Sequence, residues 1–184
     1  MNYSDYKELH KRLVGENRTT GGHTGPAYLE YTQLNWQRIK RWEKQAKLTD
    51  QEINWLKEQK ASVRWVVLTE PWCGDAAPSL PLMAKISEIH PSLELEILLR
   101  DDNLELMNQF LTGGAQSIPK LIQYSGDTIS SWGPRPEGAA RLIDDYKIQH
   151  GKLDATAREQ LQQWYNENKG REIISELLVL LGWK

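Results

Sequence analysis

Between Ser62 and Leu99 the hydrophobic period switches from strand to helix and back, and that switch limits the fold more than any other feature of the chain. Ser62-Val63-Arg64-Trp65-Val66-Val67-Leu68-Thr69 is a β-branched, apolar run of strand length. Residues 76–90 place Leu80, Met83, Ile86 and Ile89 on one helical face. Pro78 sits near the start of that helix, where proline is tolerated; Pro81, a turn further in, favours a kink. Leu93–Leu99 alternates and then becomes fully apolar, a second strand. Two strands joined by a helix pair in parallel through a right-handed crossover. Lys120-Leu121-Ile122-Gln123-Tyr124 and Thr128-Ile129-Ser130-Ser131-Trp132 flank Ser125-Gly126-Asp127, which reads as an antiparallel hairpin. A short helix over 103–111, stopped by Thr112-Gly113-Gly114, precedes the hairpin, and a helix over 137–150 follows it. The pattern predicts an α/β fold with a small mixed central sheet flanked by helices.

Extra segments lie on both sides. Residues 1–26 read as irregular, with turn formers packed from Gly15 to Pro26. Those glycines do not have phosphate-loop spacing, and no Lys-Ser/Thr follows them. Residues 27–48 turn helical, with Tyr28, Tyr31, Ile39, Trp42 and Ala46 on a stripe that Asn35 interrupts. Arg38, Lys40, Arg41 and Lys44 fall on other faces, and interleaved acidic residues mark these as solvated faces rather than an RNA surface. Thr49-Asp50-Gln51-Glu52 is a capping box for a further helix through Leu56. Beyond Gly151, Asp154 caps a helix to about residue 168. A last helix over 171–181 carries Ile173, Ile174, Leu177, Leu178 and Leu181. So apolar a helix needs a cover, either its own chain or a second copy, giving a monomer or a weak homodimer. The expected organisation is a loop and helical extension at 1–60, the α/β domain at 61–150 and a helical extension at 151–184, packed as one globular unit.

Composition narrows the function. The 184 residues carry 23 basic against 25 acidic side chains, spread along the chain, which argues against a nucleic-acid partner. No apolar run approaches the roughly 20 residues of a membrane span, and no basic-then-apolar leader opens the sequence. The expected setting is therefore cytoplasmic. Eight Trp and seven Tyr against one Phe suit half-buried sites and groove walls. His10, His23, His90 and His150 are scattered without ligand partners, so neither a metal nor another cofactor is expected. A single cysteine excludes an intramolecular disulfide, a CxxC pair and a thiolate zinc site.

That cysteine ends the first strand, in Thr69-Glu70-Pro71-Trp72-Cys73-Gly74-Asp75-Ala76-Ala77-Pro78, at the head of the following helix. Unpaired amides and the positive end of the helix dipole favour a thiolate there. Cys73 is accordingly a candidate nucleophile, or else a small buried hydrophobe. Pro119 sits at the entry of the third strand, a position that a cis Ile118–Pro119 bond would explain.

Trp72-Cys73-Gly74 at a strand–helix junction, followed by a βα unit, Ile118-Pro119, a hairpin and a closing helix, resembles the thioredoxin family over residues 60–150. The wider pattern extends the match to most of the chain. It includes the Thr-Thr-Gly turn, Tyr-Leu-Glu-Tyr-Thr-Gln-Leu-Asn, Trp-Cys-Gly-Asp-Ala-Ala and Trp132-Gly133-Pro134-Arg135-Pro136, and it resembles a bacterial thioredoxin-like branch.

The resemblance implies that Cys73 is the attacking, solvent-facing thiol and that Trp72 shapes the groove beside it. Gly74 allows the turn into the helix, Ile118 and Pro119 offer backbone to an extended substrate, and Gly133 forms a third wall. The departures are as informative. The family's resolving cysteine is Ala76 here, the proline between the two cysteines is Asp75, and the buried acid six residues before the first cysteine is Val67. Asp75 opposes thiolate formation, and Arg135 either offsets it, holds an anionic group or forms a surface ion pair. Glu70 reads as exposed rather than as a proton carrier.

The implied activity is a monothiol thiol–disulfide oxidoreductase whose partners are a protein or low-molecular-weight disulfide and an external resolving thiol. A non-catalytic binding module and a redox sensor are the alternatives.

Overall fold

A computed structural model describes residues 1–183 of the chain. It forms two compact units, Met1–Pro134 and Arg135–Lys184. The first unit is built on one four-stranded sheet in the order β2-β1-β3-β4. β1 (Val63–Thr69) runs parallel to β2 (Leu93–Leu99), with Val63 opposite Leu93 and Thr69 opposite Leu99. Its other edge pairs antiparallel with β3 (Lys120–Ser125), which turns into β4 (Thr128–Trp132). The mixed sheet matches the α/β fold expected from the sequence.

Apolar β-branched residues make β1 the central strand. All of its residues except Arg64 are buried, as befits a strand covered on both faces. Arg64 instead pairs with Glu96 across the strands at 2.6 Å. The buried Trp65 donates its indole N–H to Gln123 on β3 at 2.8 Å, so the strand's largest polar handle is satisfied internally. The crossover helix α4 (Ala76–Ile89) is buried on almost every side, with Leu80, Leu82, Met83 and Ile86 fully inside, and it continues through Pro81.

The N-terminal segment departs from expectation. Residues 1–26 are not irregular throughout: α1 spans Tyr3–Gly15, opened by a reciprocal capping box between Asn2 and Asp5. Its buried stripe is Tyr6, His10 and Leu13, so the helical period is carried largely by side chains with polar atoms and is faint in hydropathy. Met1 exchanges backbone hydrogen bonds with Ile97 on the outer edge of β2, which covers an otherwise open strand. Residues 16–25 form the irregular stretch that follows.

α2 (Pro26–Gln45) packs on α1 and α4, and α3 (Asp50–Glu58) on α4. Thr49 and Glu52 form the expected capping box. α5 is the short helix, confined to Leu104–Met107 rather than reaching residue 111.

The second unit holds α6 (Glu137–His150), α7 (Ala155–Asn168) and α8 (Arg171–Leu180). α6 stops at Gly151 in the left-handed region, and Asp154 caps α7 by accepting from the Ala157 amide at 3.0 Å. Ile173, Ile174, Leu177 and Leu178 are buried, so α8 is covered within a single chain.

Candidate functional site

The C-terminal end of β1 leads into Glu70-Pro71-Trp72-Cys73, a tight turn closed by the Cys73 amide donating to the Glu70 carbonyl at 2.9 Å. Pro71 occupies the second position of that turn, where its fixed φ is pre-set. The turn delivers Cys73 to the start of α4, three residues before the first helical residue Ala76. Asp75 is the N-cap but makes no side-chain cap hydrogen bond. Pro78 removes an amide from the first turn, where it would have no helical acceptor.

Ile118–Pro119 is cis, as expected, and Gly133–Pro134 is cis as well. The Cys73 Sγ donates to the Ile118 carbonyl at 3.2 Å, so helix, cysteine and cis-proline strand meet at one point. Cys73 is 7% exposed, which corrects the expectation of a solvent-facing thiol. Gly133 completes this corner. Its φ is +104°, and a Cβ there would lie 2.2 Å from the Pro119 carbonyl oxygen, so only glycine permits the approach. The buried Lys120 fixes the same loop, donating to Thr112 Oγ1 at 2.6 Å and to the Gly133 carbonyl at 3.1 Å.

Trp72 forms the wall beside Cys73 together with the residue 16–25 segment. His23 and Tyr28 stack at 4.1 Å, and both meet Trp72 edge-on, at 5.5 and 5.3 Å. The Arg100 guanidinium lies 5.0 Å from the Trp72 ring and is held by Asp101 at 2.6 Å. Asp101 also lies 3.3 Å from His23 Nε2. Gly21 sits against this carboxylate so closely that a Cβ would overlap it.

Glu70 corrects a second expectation. It is buried, not exposed: Thr20 donates its hydroxyl to one carboxylate oxygen and the Asp101 amide donates to the other at 2.9 Å. Burial pushes its carboxyl above the usual range, against the lowering effect of those two donors. Tyr6 on α1 is fully buried within electrostatic range of both Cys73 and Glu70, and its hydroxyl has no hydrogen-bond partner among the described residues. Burial, and then the electrostatic influence of Cys73 and Glu70, raises the Tyr6 hydroxyl well above its ordinary value, so it stays neutral.

α2 supplies what the sequence reading missed. Asn35, the polar interruption of its apolar stripe, is buried and donates to the Pro71 carbonyl at 3.0 Å. Its own carbonyl oxygen accepts from Arg38 Nη1 at 3.0 Å. Arg38 therefore does not lie on a solvated face. Nη1 stands 3.7 Å from where a Cβ of Gly74 would be, directly beside the peptide after Cys73. An asparagine breaking an apolar stripe was the legible signal, because a buried amide demands partners.

Trp72, Cys73, Gly74, Asp75, Ile118, Pro119 and Gly133 all belong to the first unit, whereas Arg135 opens the second. Among the described residues no cluster of three or more His, Cys, Asp or Glu side chains is placed to hold a metal ion. No helix among them is long and apolar enough to cross a membrane.

The profile of a family described as thioredoxin matches residues 22–147. No curated protein matches the chain. Among solved structures, a protein of unknown function from Pseudomonas aeruginosa is similar at 15% identity and a TM-score of 0.58, covering 98% of this chain and 99% of its own. An HIV epitope-scaffold is similar at 14% identity and a TM-score of 0.57, with 98% of each chain covered. At these identities the likeness is one of fold.

Proposed function

The chain belongs to the thioredoxin family, and on that premise we propose that it is a monothiol thiol–disulfide oxidoreductase acting through Cys73. The observation that carries this reading is the placement of Cys73 Sγ at the head of α4, 3.2 Å from the carbonyl of the cis Ile118–Pro119 bond. The amides of the first helical turn favour the thiolate.

In the proposed cycle the Cys73 thiolate attacks one sulfur of a disulfide. A Cys73 mixed disulfide forms, and the other sulfur leaves as a thiolate with the electron pair. Ala76 stands where a resolving cysteine would be, so an external thiolate attacks the mixed disulfide and regenerates Cys73. The partners in this reading are a protein or low-molecular-weight disulfide and that external thiol, without nucleic acid or membrane. The setting in this reading is a reducing cytoplasm, and the Trp72-Cys73-Gly74-Asp75-Ala76 motif supports assignment to a bacterial branch of the family. In this reading Trp72, Gly74, Asp75, Ile118, Pro119 and Gly133 form the groove.

One observation favours a second reading. Cys73 is nearly buried and its S–H engages Ile118, which suits a redox sensor or a groove that binds without turnover.

Alkylation of Cys73 against pH separates these readings from a structural cysteine: a reactive thiolate gives an apparent pKa below the roughly 8.5 of an ordinary thiol. Turnover of a mixed-disulfide substrate with added thiol, abolished in Cys73→Ser, establishes the oxidoreductase. A pKa at or above that value, with no turnover, removes redox chemistry.

A further inference from the structure

Arg38 differs from Arg100 and Lys120, the two cations described above around the Cys73 corner. Arg100, on the Trp72 side, is neutralised by Asp101 at 2.6 Å. Lys120, near Gly133, spends its ammonium on Thr112 and the Gly133 carbonyl. Arg38 makes one hydrogen bond among the described residues, from Nη1 to Asn35, and has no ion-pair partner within 4.0 Å among them. Its Nε and Nη2 donors have no hydrogen-bond partner among the described residues and are open to a ligand.

The guanidinium is nonetheless held in place. Asn35 grips the Pro71 carbonyl with its amide nitrogen and Arg38 with its amide oxygen, so one buried side chain ties the cation to the turn that carries Cys73. Arg38 is half-buried beside Gly74, and partial desolvation there lowers its pKa while leaving a permanent cation. Asp75 acts on it favourably and Arg41 adds a second positive charge nearby. A fixed planar cation with open donors, one residue beyond a nucleophilic sulfur, suits a carboxylate close to a sulfur atom.

We infer that Arg38 is the specificity-determining residue of the site, docking the carboxylate of an anionic low-molecular-weight thiol or disulfide as its sulfur exchanges with Cys73. The inference rests on the oxidoreductase reading and names the class of its exchange partner. The chemistry is the balanced exchange already described: one S–S bond breaks as another forms, and the departing thiolate takes the electron pair while Arg38 keeps its proton.

The test measures the rate of Cys73 with three disulfides: the anionic dithiobis-nitrobenzoate, the neutral dithiodipyridine and the cationic cystamine. In the parent chain the anionic rate falls with added salt while the neutral rate does not. Arg38→Gln lowers the anionic-to-neutral ratio by about tenfold, the scale of one charge-assisted hydrogen bond. Arg38→Lys retains part of the preference, because charge remains and the planar fork is lost. An unchanged ratio in Arg38→Gln, or an equal fall for all three probes, overturns the docking role and leaves the oxidoreductase reading standing. A salt-independent anionic rate in the parent overturns it without any variant. A parent chain whose Cys73 reacts with none of the probes overturns the oxidoreductase reading and this inference with it.

Discussion

α4 and the α1–α2 pair both enclose the strand end that carries Cys73, and they do so by different means. α4 buries Leu80, Leu82, Met83 and Ile86, side chains without a polar atom able to hydrogen-bond strongly. The α1–α2 layer buries Tyr6, His10, Thr32 and Asn35, and with them Thr20 and Glu70. There the contacts are directional: His10 Nε2 donates to the Thr32 carbonyl at 2.8 Å, Thr32 bonds Thr19 at 2.7 Å and the Tyr28 carbonyl at 2.8 Å, and Asn35 bonds the Pro71 carbonyl. Apolar burial is non-directional and tolerates small shifts. A buried polar layer is stable only when its partners are met, and it fixes position in return. The helix behind the cysteine supplies stability, while the layer beside it supplies geometry.

The largest test of this contrast is Leu80→Ala, expected to cost roughly 2–5 kcal/mol through lost transfer energy and a residual cavity. Denaturant midpoints measure it, and a cost below about 1 kcal/mol would mean that α4 is not the anchor. Acid comes next. Burial lowers the His10 pKa from 6.5 to about 4, so the folded state holds this imidazole neutral. Between those values the unfolded chain binds the proton and the folded chain does not. Stability present at neutral pH is therefore lost as pH falls from about 6.5 to about 4, by about 3 kcal/mol in full. Glu70, whose pKa is raised, contributes with the opposite sign, since its stabilising share declines as pH rises above the ordinary carboxylate range. His10→Gln keeps an N–H for Thr32 and flattens the acid limb of the stability curve; an unaltered limb would place the titration elsewhere.

Asn35→Ala is expected to cost about 1–3 kcal/mol, since it leaves the buried Pro71 carbonyl unpaired. It also slows the reaction of Cys73 with dithiobis-nitrobenzoate, because the Arg38 fork loses its anchor; a stability loss without that slowing would separate structure from docking. The smallest effect is Asn2→Ala, which removes one half of the α1 capping box and costs about 1 kcal/mol. Amide exchange confined to the first turn of α1 reads it out.

Legibility in the sequence followed the same division. β1, β2 and the β3–β4 hairpin stand where the apolar runs place them, because period and burial agree there. Ile118–Pro119 was readable because proline at a strand entry demands an explanation. α1 was hidden because its inward stripe is Tyr6, His10 and Leu13 rather than an aliphatic run. In sequence Glu70 reads as exposed because a carboxylate is rarely buried, and nothing in its neighbours along the chain announces Thr20 or the Asp101 amide. In sequence Arg38 reads as solvated because its charge matches that of its helix neighbours, although Gly74 lies against it.

By itself the sequence determined the α/β order, the cap at Thr49, the corner that carries Cys73 and the lack of a second thiol, all set by local period, local chemistry or simple count. The tertiary structure alone decided that Cys73 is nearly buried against Ile118, that Glu70 lies within the polar layer, and that Asn35 turns Arg38 toward Gly74. Each of those outcomes needs at least one hydrogen bond between residues far apart in the chain: Cys73 with Ile118, Glu70 with Thr20, and Asn35 with Pro71. Polar contacts of that kind leave no periodic trace, because each needs only two groups to meet once in space.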